Sequence, residues 1–236
     1  MKELTEARLL RRYKRFLADV ELSDGSIVTV HCPNTGSMKN CIESGQPVWL
    51  SLSKNPSRKY KYTWEYIQTR RGHIIGVNTV RANQLVSDGV EADRIAELVG
   101  YNELNREVQY GNENSRIDVL LKHPERSDCY VEVKSVTLLE NPSSRGVGYF
   151  PDAVSARSSK HLRELELVVK EGYRAVLFFC VQHTGVREVR PADHIDFRYG
   201  ELLRAVAANG VELLAYKIRV TKSGFRLWRS LPVVLP

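Results

Sequence analysis

Residues Ser115 to Val136 read SRIDVLLKHPERSDCYVEVKSV. Arg116–Leu121 and Cys129–Val136 are β-prone runs around a polar turn, the pattern of a hairpin. With its tip near Glu125, Asp118 and Glu132 are equidistant from the turn and face each other across the paired strands. Side chains so opposed have Cβ atoms about 4.5–5.5 Å apart, where like charges repel. The two-residue period puts Glu132 and Lys134 on one face and Val131 and Val133 on the other, while Asp118 sits between Ile117 and Val119. Two carboxylates facing each other in an apolar hairpin need a neutralising partner, and Mg²⁺ or Mn²⁺ held by one or two carboxylates supplies one. Lys134 beside such an ion is placed to orient or deprotonate an attacking water and to stabilise transition-state charge. The Glu-x-Lys triplet alone equally suits a solvated strand face. What favours a site is its combination with the opposed Asp118, a basic helix downstream and an α/β setting.

The flanking sequence supplies that setting. Upstream, Asn83–Gly100 has helical spacing and Arg106–Tyr110 is a further strand candidate. Downstream, the Gly/Ser/Pro-rich Asn141–Gly148 is expected to be a mobile loop. Ala156–Glu171 reads as a helix with Leu162, Leu165 and Val169 along one face and Gly172 as its stop. Lys160 and Arg163 lie off that stripe, placed to hold a phosphate backbone, though charges opposite a core stripe are ordinary on any amphipathic helix. The continuous apolar run Ala175–Val181 predicts a buried strand, and Phe197–Ala208 a second helix. Two strands, Val211–Val220 and Phe225–Leu231, close the chain around the turn Lys222-Ser223-Gly224. A β-β-β-α-β order followed by αβ is an α/β sheet with flanking helices.

Before Arg81 the texture differs, which divides the chain into residues 1–82 and 83–236. The first part reads as short strands: Tyr13–Leu22, Ile27–His31, Pro47–Leu52, Tyr60–Thr69 and His73–Thr79. Five strands in so short a span predict a small closed barrel, with the OB-fold the leading choice. From Met1 to Ala82 there are 14 Lys/Arg against 7 Asp/Glu, and 21 against 21 afterwards, so the whole +7 excess lies in the barrel. A field of that sign favours polyanions. Two runs interleave basic and aromatic residues: Arg11, Arg12, Lys14 and Arg15 around Tyr13 and Phe16, and Arg58, Lys59 and Lys61 around Tyr60, Tyr62 and Trp64. Basic groups there are candidates to grip phosphates and rings to stack on bases, unless strand alternation buries the rings.

Cys32, Cys41, Cys129 and Cys180 form no CxxC pair, so they read as reduced thiols rather than a metal finger or a disulfide framework. His31-Cys32-Pro33-Asn34-Thr35-Gly36 lacks the further ligands a metal site needs, and its Asn34-Thr35-Gly36 reads as a tight turn, structural first, whose backbone N–H groups are candidates to meet a phosphate. No P-loop, dinucleotide fingerprint or nucleophile elbow occurs. The longest apolar run is far too short for a membrane span and no signal segment follows Met1, so a cytoplasmic, nucleoid-associated protein without membrane contact is expected.

Several runs resemble the sugar fermentation stimulation protein A family: Arg12–Val20, His31–Gly36, Ser115–Asp118, Tyr130–Leu138, Gly148–Ala153 and Lys160–Leu165. The resemblance implies an OB-like barrel joined to a PD-(D/E)xK restriction-endonuclease-like α/β domain. It implies a bacterial protein that binds DNA (duplex, branched or single-stranded) without marked sequence preference, with a regulatory role in sugar, especially maltose, utilisation. Carried over, Asp118 and Glu132 become the metal ligands of a nuclease site and Lys134 its catalytic lysine. The superfamily often adds an upstream acidic residue, for which Glu97 and Glu107 are both candidates. Two alternatives stay open: a regulator that keeps the nuclease fold without turnover, and an RNA-processing protein whose barrel holds single strands.

Overall fold

The computed structural model describes residues 4–111, 115–140, 146–221 and 224–236. The first six strands are β1 (Leu4–Tyr13), β2 (Leu17–Leu22), β3 (Ile27–His31), β4 (Pro47–Leu52), β5 (Tyr62–Gln68) and β6 (Ile74–Gly76). They are ordered β3-β2-β1-β4-β5-β6, and a β3–β5 pairing at His31 and Thr63 closes the barrel. Its interior is filled by Leu9, Val20, Val30, Leu50, Trp64 and Ile67, and burying each such side chain is worth about 1.5–3 kcal/mol.

Two expectations are corrected here. Tyr13–Leu22 is not one strand: Lys14 and Arg15 adopt φ of 49° and 61°, turning the chain between β1 and β2. The second correction is β1 itself, which sequence reading missed although it is central to the barrel sheet.

Beyond the barrel, α1 (Arg81–Glu91) leads through a 3-10 turn (Ala96–Leu98) to β7 (Glu103–Tyr110), β8 (Ser115–His123) and β9 (Arg126–Val136). The expected helix Asn83–Gly100 therefore stops early, where Asp93 takes φ of 51°. Short strands β10 (Leu138–Leu139) and β11 (Val147–Phe150) precede α2 (Ala156–Lys170), β12 (Arg174–Val181), β13 (Glu188–Pro191), α3 (Phe197–Ala208), β14 (Glu212–Thr221) and β15 (Gly224–Leu231). Of the expected loop Asn141–Gly148, residues 141–145 lie outside the described residues, and Val147 and Gly148 belong to β11, paired with β10 and β13. Lys222 and Ser223 of the expected last turn also lie outside them.

The main sheet runs β15-β14-β12-β9-β8-β7, with β9, β12 and β14 parallel and the outer pairs antiparallel. Both faces are covered. Leu162, Leu165, Phe179, Tyr199 and Leu203 form the core under α2 and α3. Leu85, Val86, Val131, Val133, Phe178 and Ile218 form the core under α1. Along the inner stripe of α2 it is Val168, rather than Val169, that is buried. Among the described residues no helix is long and apolar enough to cross a membrane.

Candidate metal centre

The β8–β9 hairpin has the expected register: Val119 pairs with Val131 and Leu121 with Cys129, so continuation sets Asp118 opposite Glu132. The ladder ends just there. Instead of extending it, Asp118 Oδ2 accepts the Val133 backbone N–H at 2.7 Å. Strand alternation also breaks: Ile117 packs under α2 and α3, whereas Val119 packs under α1. On the other side, Glu107, which the β7–β8 register would set against Asp118, has φ of 53° and is unpaired in the ladder. The strands thus part at Asp118, freeing its carboxylate from routine sheet packing.

Asp118 Oδ1 accepts from Asn83 Nδ2 at 2.6 Å. Asn83 lies in the first turn of α1, and the barrel fixes that turn. Glu65 of β5, 1% exposed, accepts from Arg81 Nε and a second guanidinium N–H at 3.1 Å, from Ser51 Oγ at 2.6 Å and from Asn78 Nδ2 at 3.0 Å. A buried carboxylate with this many donors tolerates burial, and it moors the helix that carries Asn83.

Glu132 is 2% exposed, which overturns the solvated-face alternative. Its Oε1 accepts from Lys134 Nζ at 2.8 Å and from His161 Nδ1. His161 comes from α2, whose N-cap Ser155 accepts the Ser158 N–H. Arg157 Nε donates to His161 Nε2 at 3.3 Å, which leaves the ring proton on Nδ1, directed at Glu132. Glu132 Oε2 is buried without a hydrogen-bond partner.

The two carboxyl groups respond oppositely to this setting. Burial and the charge of Glu132 push Asp118 up to about 7. Burial acts to raise Glu132 too, but His161 and Lys134 outweigh it and hold that carboxyl below its ordinary value. The pair therefore carries one firm negative charge, and burial beside that charge disfavours a second. A buried carboxylate oxygen lacking a donor, beside a carboxyl that resists ionisation, is the chemistry a small divalent cation satisfies. Asp118 and Glu132 fit such an ion. Among the described residues no group of three or more His, Cys, Asp or Glu side chains is assembled for a metal. Glu97 instead accepts from Tyr216 O–H at 2.6 Å, and Glu107 is exposed.

The expected nucleic-acid contacts are scattered. Lys14, Arg15, Lys59, Lys61 and Arg163 are exposed and Lys160 is half-buried. Arg11 is exposed but paired with Asp19 at 2.8 Å. Arg12 is committed to the fold, donating to the backbone oxygens of Arg15, Asn34 and Gly36. Arg58 bonds Thr63 and His31, and Lys59 lies 5.5 Å from the Tyr60 ring centre. Of the aromatic residues proposed to stack, Phe16 is exposed, whereas Trp64 lies fully inside the barrel. The Gly36 N–H is taken by Asn34 Oδ1 at 2.8 Å, so that turn does not offer it to a phosphate. The four cysteines are free and buried.

Sequence reasoning assigned no role to Asn83 or His161. It also missed buried hydroxyls without partners on Tyr110, Ser115 and Tyr199. Burial, and after it the charge of Glu132, raises both tyrosines.

Comparison with known proteins agrees with this architecture. Residues 10–77 match the SfsA N-terminal OB domain, and residues 80–224 match the sugar fermentation stimulation protein RE domain. The chain is 56% identical over 230 residues to the sugar fermentation stimulation protein homolog of Shewanella loihica, covering 98% of this chain and 97% of that one. A homolog from Shewanella piezotolerans is 55% identical over 233 residues, covering 99% and 98%. Among solved structures, Pyrococcus furiosus SfsA in complex with Ca²⁺ superposes with a TM-score of 0.87 at 25% identity, covering 99% of this chain and 98% of that one.

Proposed function

Because the chain belongs to the sugar fermentation stimulation protein family, we propose that it binds DNA and hydrolyses phosphodiester bonds at a divalent-metal site held by Asp118 and Glu132. The observation that carries this reading is the unpartnered, buried Glu132 Oε2 next to an Asp118 that resists ionisation. The Ca²⁺ complex of the Pyrococcus furiosus relative supports a divalent ion in this fold, with Mg²⁺ or Mn²⁺ as the working ion here. When bound, the ion supplies Lewis acidity to a phosphoryl oxygen and an acidified water.

The chain's own residues do the rest. Asn83 and the Val133 N–H aim the Asp118 carboxylate. His161 orients Glu132 and, with Lys134, keeps it ionised. Lys134 lies on the Glu132 face of β9, and its side chain is 11% exposed, so its ammonium charge acts at short range on developing phosphoryl charge. The net charge of +7 draws the polyanion in. Regulation of sugar utilisation, maltose included, would operate through this DNA binding.

One observation favours the alternative of binding without turnover: Glu132 Oε1 is already satisfied by Lys134 and His161. A cleavage screen over duplex, branched and single-stranded DNA with Mg²⁺ or Mn²⁺ decides between them. Expected are metal-dependent products that fall by about 100-fold or more in Lys134→Ala while DNA binding persists. Intact DNA in every lane with binding retained would establish the regulator reading.

A further inference from the structure

A cleft of about 480 Å³ opens beside Lys134, and both folds build it. Arg15, Thr35 and Gly36 form the barrel wall, Asn83 and Lys134 lie at the floor, and Asp152 begins the opposite wall. The two walls touch: a β-carbon added to Gly36 would overlap the Asp152 carboxylate. The barrel wall is also bonded to the second fold. Lys39 Nζ bonds Glu140 Oε1 at 3.0 Å, and Asn40 Nδ2 donates to the Leu139 and Glu140 carbonyls at 3.2 Å. Cys41 Sγ reaches the Thr137 carbonyl at 3.6 Å. From the end of β1, Arg12 grips the carbonyls of Asn34 and Gly36 at 2.9 and 3.0 Å.

A notch between touching, tethered walls sets a size limit on what reaches Lys134. Its volume falls within the range of about 300–1,000 Å³ that sites for single small-molecule-sized groups occupy. One nucleotide fits that space, but two paired strands do not enter a gap bridged by Gly36 and Asp152. An enzyme that must act on a base-paired strand through such a pocket extrudes the nucleotide first, at a cost of a few kcal/mol. Arg15, exposed on the left-handed turn at the mouth, offers a guanidinium to the incoming backbone.

We infer that the occupant of this cleft is an unpaired nucleic-acid strand, one nucleotide of which sits between the Arg15 mouth and Lys134. This rests on the phosphodiester reading of the Lys134 site, and it adds the strandedness of the substrate.

The test uses the full chain and fluorescent oligonucleotides: a twelve-residue oligothymidylate, the matching oligouridylate, and a hairpin duplex with a minimal loop. Binding is followed by anisotropy in EDTA, and cleavage separately in Mn²⁺. The unpaired strands should bind about tenfold more tightly than the hairpin, the ratio that a few kcal/mol of unpairing cost readily supplies. Thr35→Trp, which fills the cleft from an exposed position, should remove that preference and leave hairpin affinity unchanged; Thr35→Glu should act the same way through charge. The preferred sugar, deoxyribose or ribose, comes from comparing the two single strands. Equal affinity for hairpin and single strand, or equal weakening of both by the Thr35 variants, overturns the inference. If the preference holds but nothing is cleaved in Mn²⁺, the inference stands and the hydrolytic reading falls. If a covalently closed duplex is cut as fast as a single strand, the hydrolytic reading stands and the inference falls.

Discussion

Replacing Asp118 with Asn should make the metal-free protein more stable at alkaline pH. The fold lifts the Asp118 carboxyl from 3.8 to about 7 through burial and the nearby charge of Glu132. A carboxyl raised that far carries about 4 kcal/mol of penalty on its ionised form. Asparagine carries no such charge but keeps only one acceptor oxygen. It therefore loses one of the two bonds now made to Asn83 and to the Val133 N–H, at about 1–1.5 kcal/mol. The balance is a gain of about 2.5–3 kcal/mol, or about 5–12 °C in Tm for a chain of this size. Because the folded pKa lies above the unfolded one, the stability lent by Asp118 is complete below the ordinary carboxylate range. It is lost as pH rises through about 7. The margin of Asp118→Asn over the native chain should therefore be small at pH 5 and widest at pH 8. Divalent metal at about a thousandfold excess over Kd should then reverse the order, since the native chain gains about 4.1 kcal/mol there and the variant gains little. Thermal melts in EDTA at both pH values, then with Mn²⁺ at pH 8, provide the readout. A variant less stable than the native chain at pH 8 in EDTA, or a margin that narrows as pH rises, refutes the argument.

Three further outcomes follow from the seams between the two folds. Glu65→Gln should lower stability by about 1.5–2 kcal/mol in urea unfolding, because the buried side chain keeps one acceptor oxygen for four donors while the Arg81 it releases is 41% exposed; unchanged unfolding would remove the mooring role. Gly36→Ala should destabilise through overlap with the Asp152 carboxylate, and Asp152→Ala should rescue it with a coupling of about 1 kcal/mol or more in a double-mutant cycle, whereas additive effects would mean the walls do not touch. His183 bridges to Ile75 and is held neutral by burial down to about 3. Its folded pKa lies below the unfolded one, so its contribution is present above about 6.5 and is lost as pH falls toward 3. His183→Gln should make the acid limb of a stability–pH curve shallower by up to about 1.4 kcal/mol per pH unit, and an unaltered limb would count against this.

The residues show why some features were legible in the sequence and others were not. The facing of Asp118 and Glu132 follows from counting outward from a turn, because hairpin register is local. The helices Ala156–Lys170 and Phe197–Ala208 and the buried strand Arg174–Val181 announce themselves by periodicity and continuous apolar character. Strand β1 did not, because LTEARLLRRY consists mostly of good helix formers and only Ala7 and Leu9 are buried. The Lys14–Arg15 turn lacks the glycine or asparagine that usually marks positive φ. Asn83 and His161 escaped assignment because they reach the site from 35 and 29 residues away, across elements whose docking no local pattern encodes. Arg12 read as a phosphate contact because charge composition does not reveal which cations the fold consumes.

Whether a divalent ion joins the two hairpin carboxylates decides the proposed chemistry. A crystal soaked in Mn²⁺ and measured at a wavelength that gives manganese anomalous signal answers this directly. The predicted map has a peak within coordination distance of Asp118 and of Glu132 Oε2, and the peak vanishes in Asp118→Asn. A fully occupied manganese elsewhere, with neither carboxylate touching it, would contradict this reading.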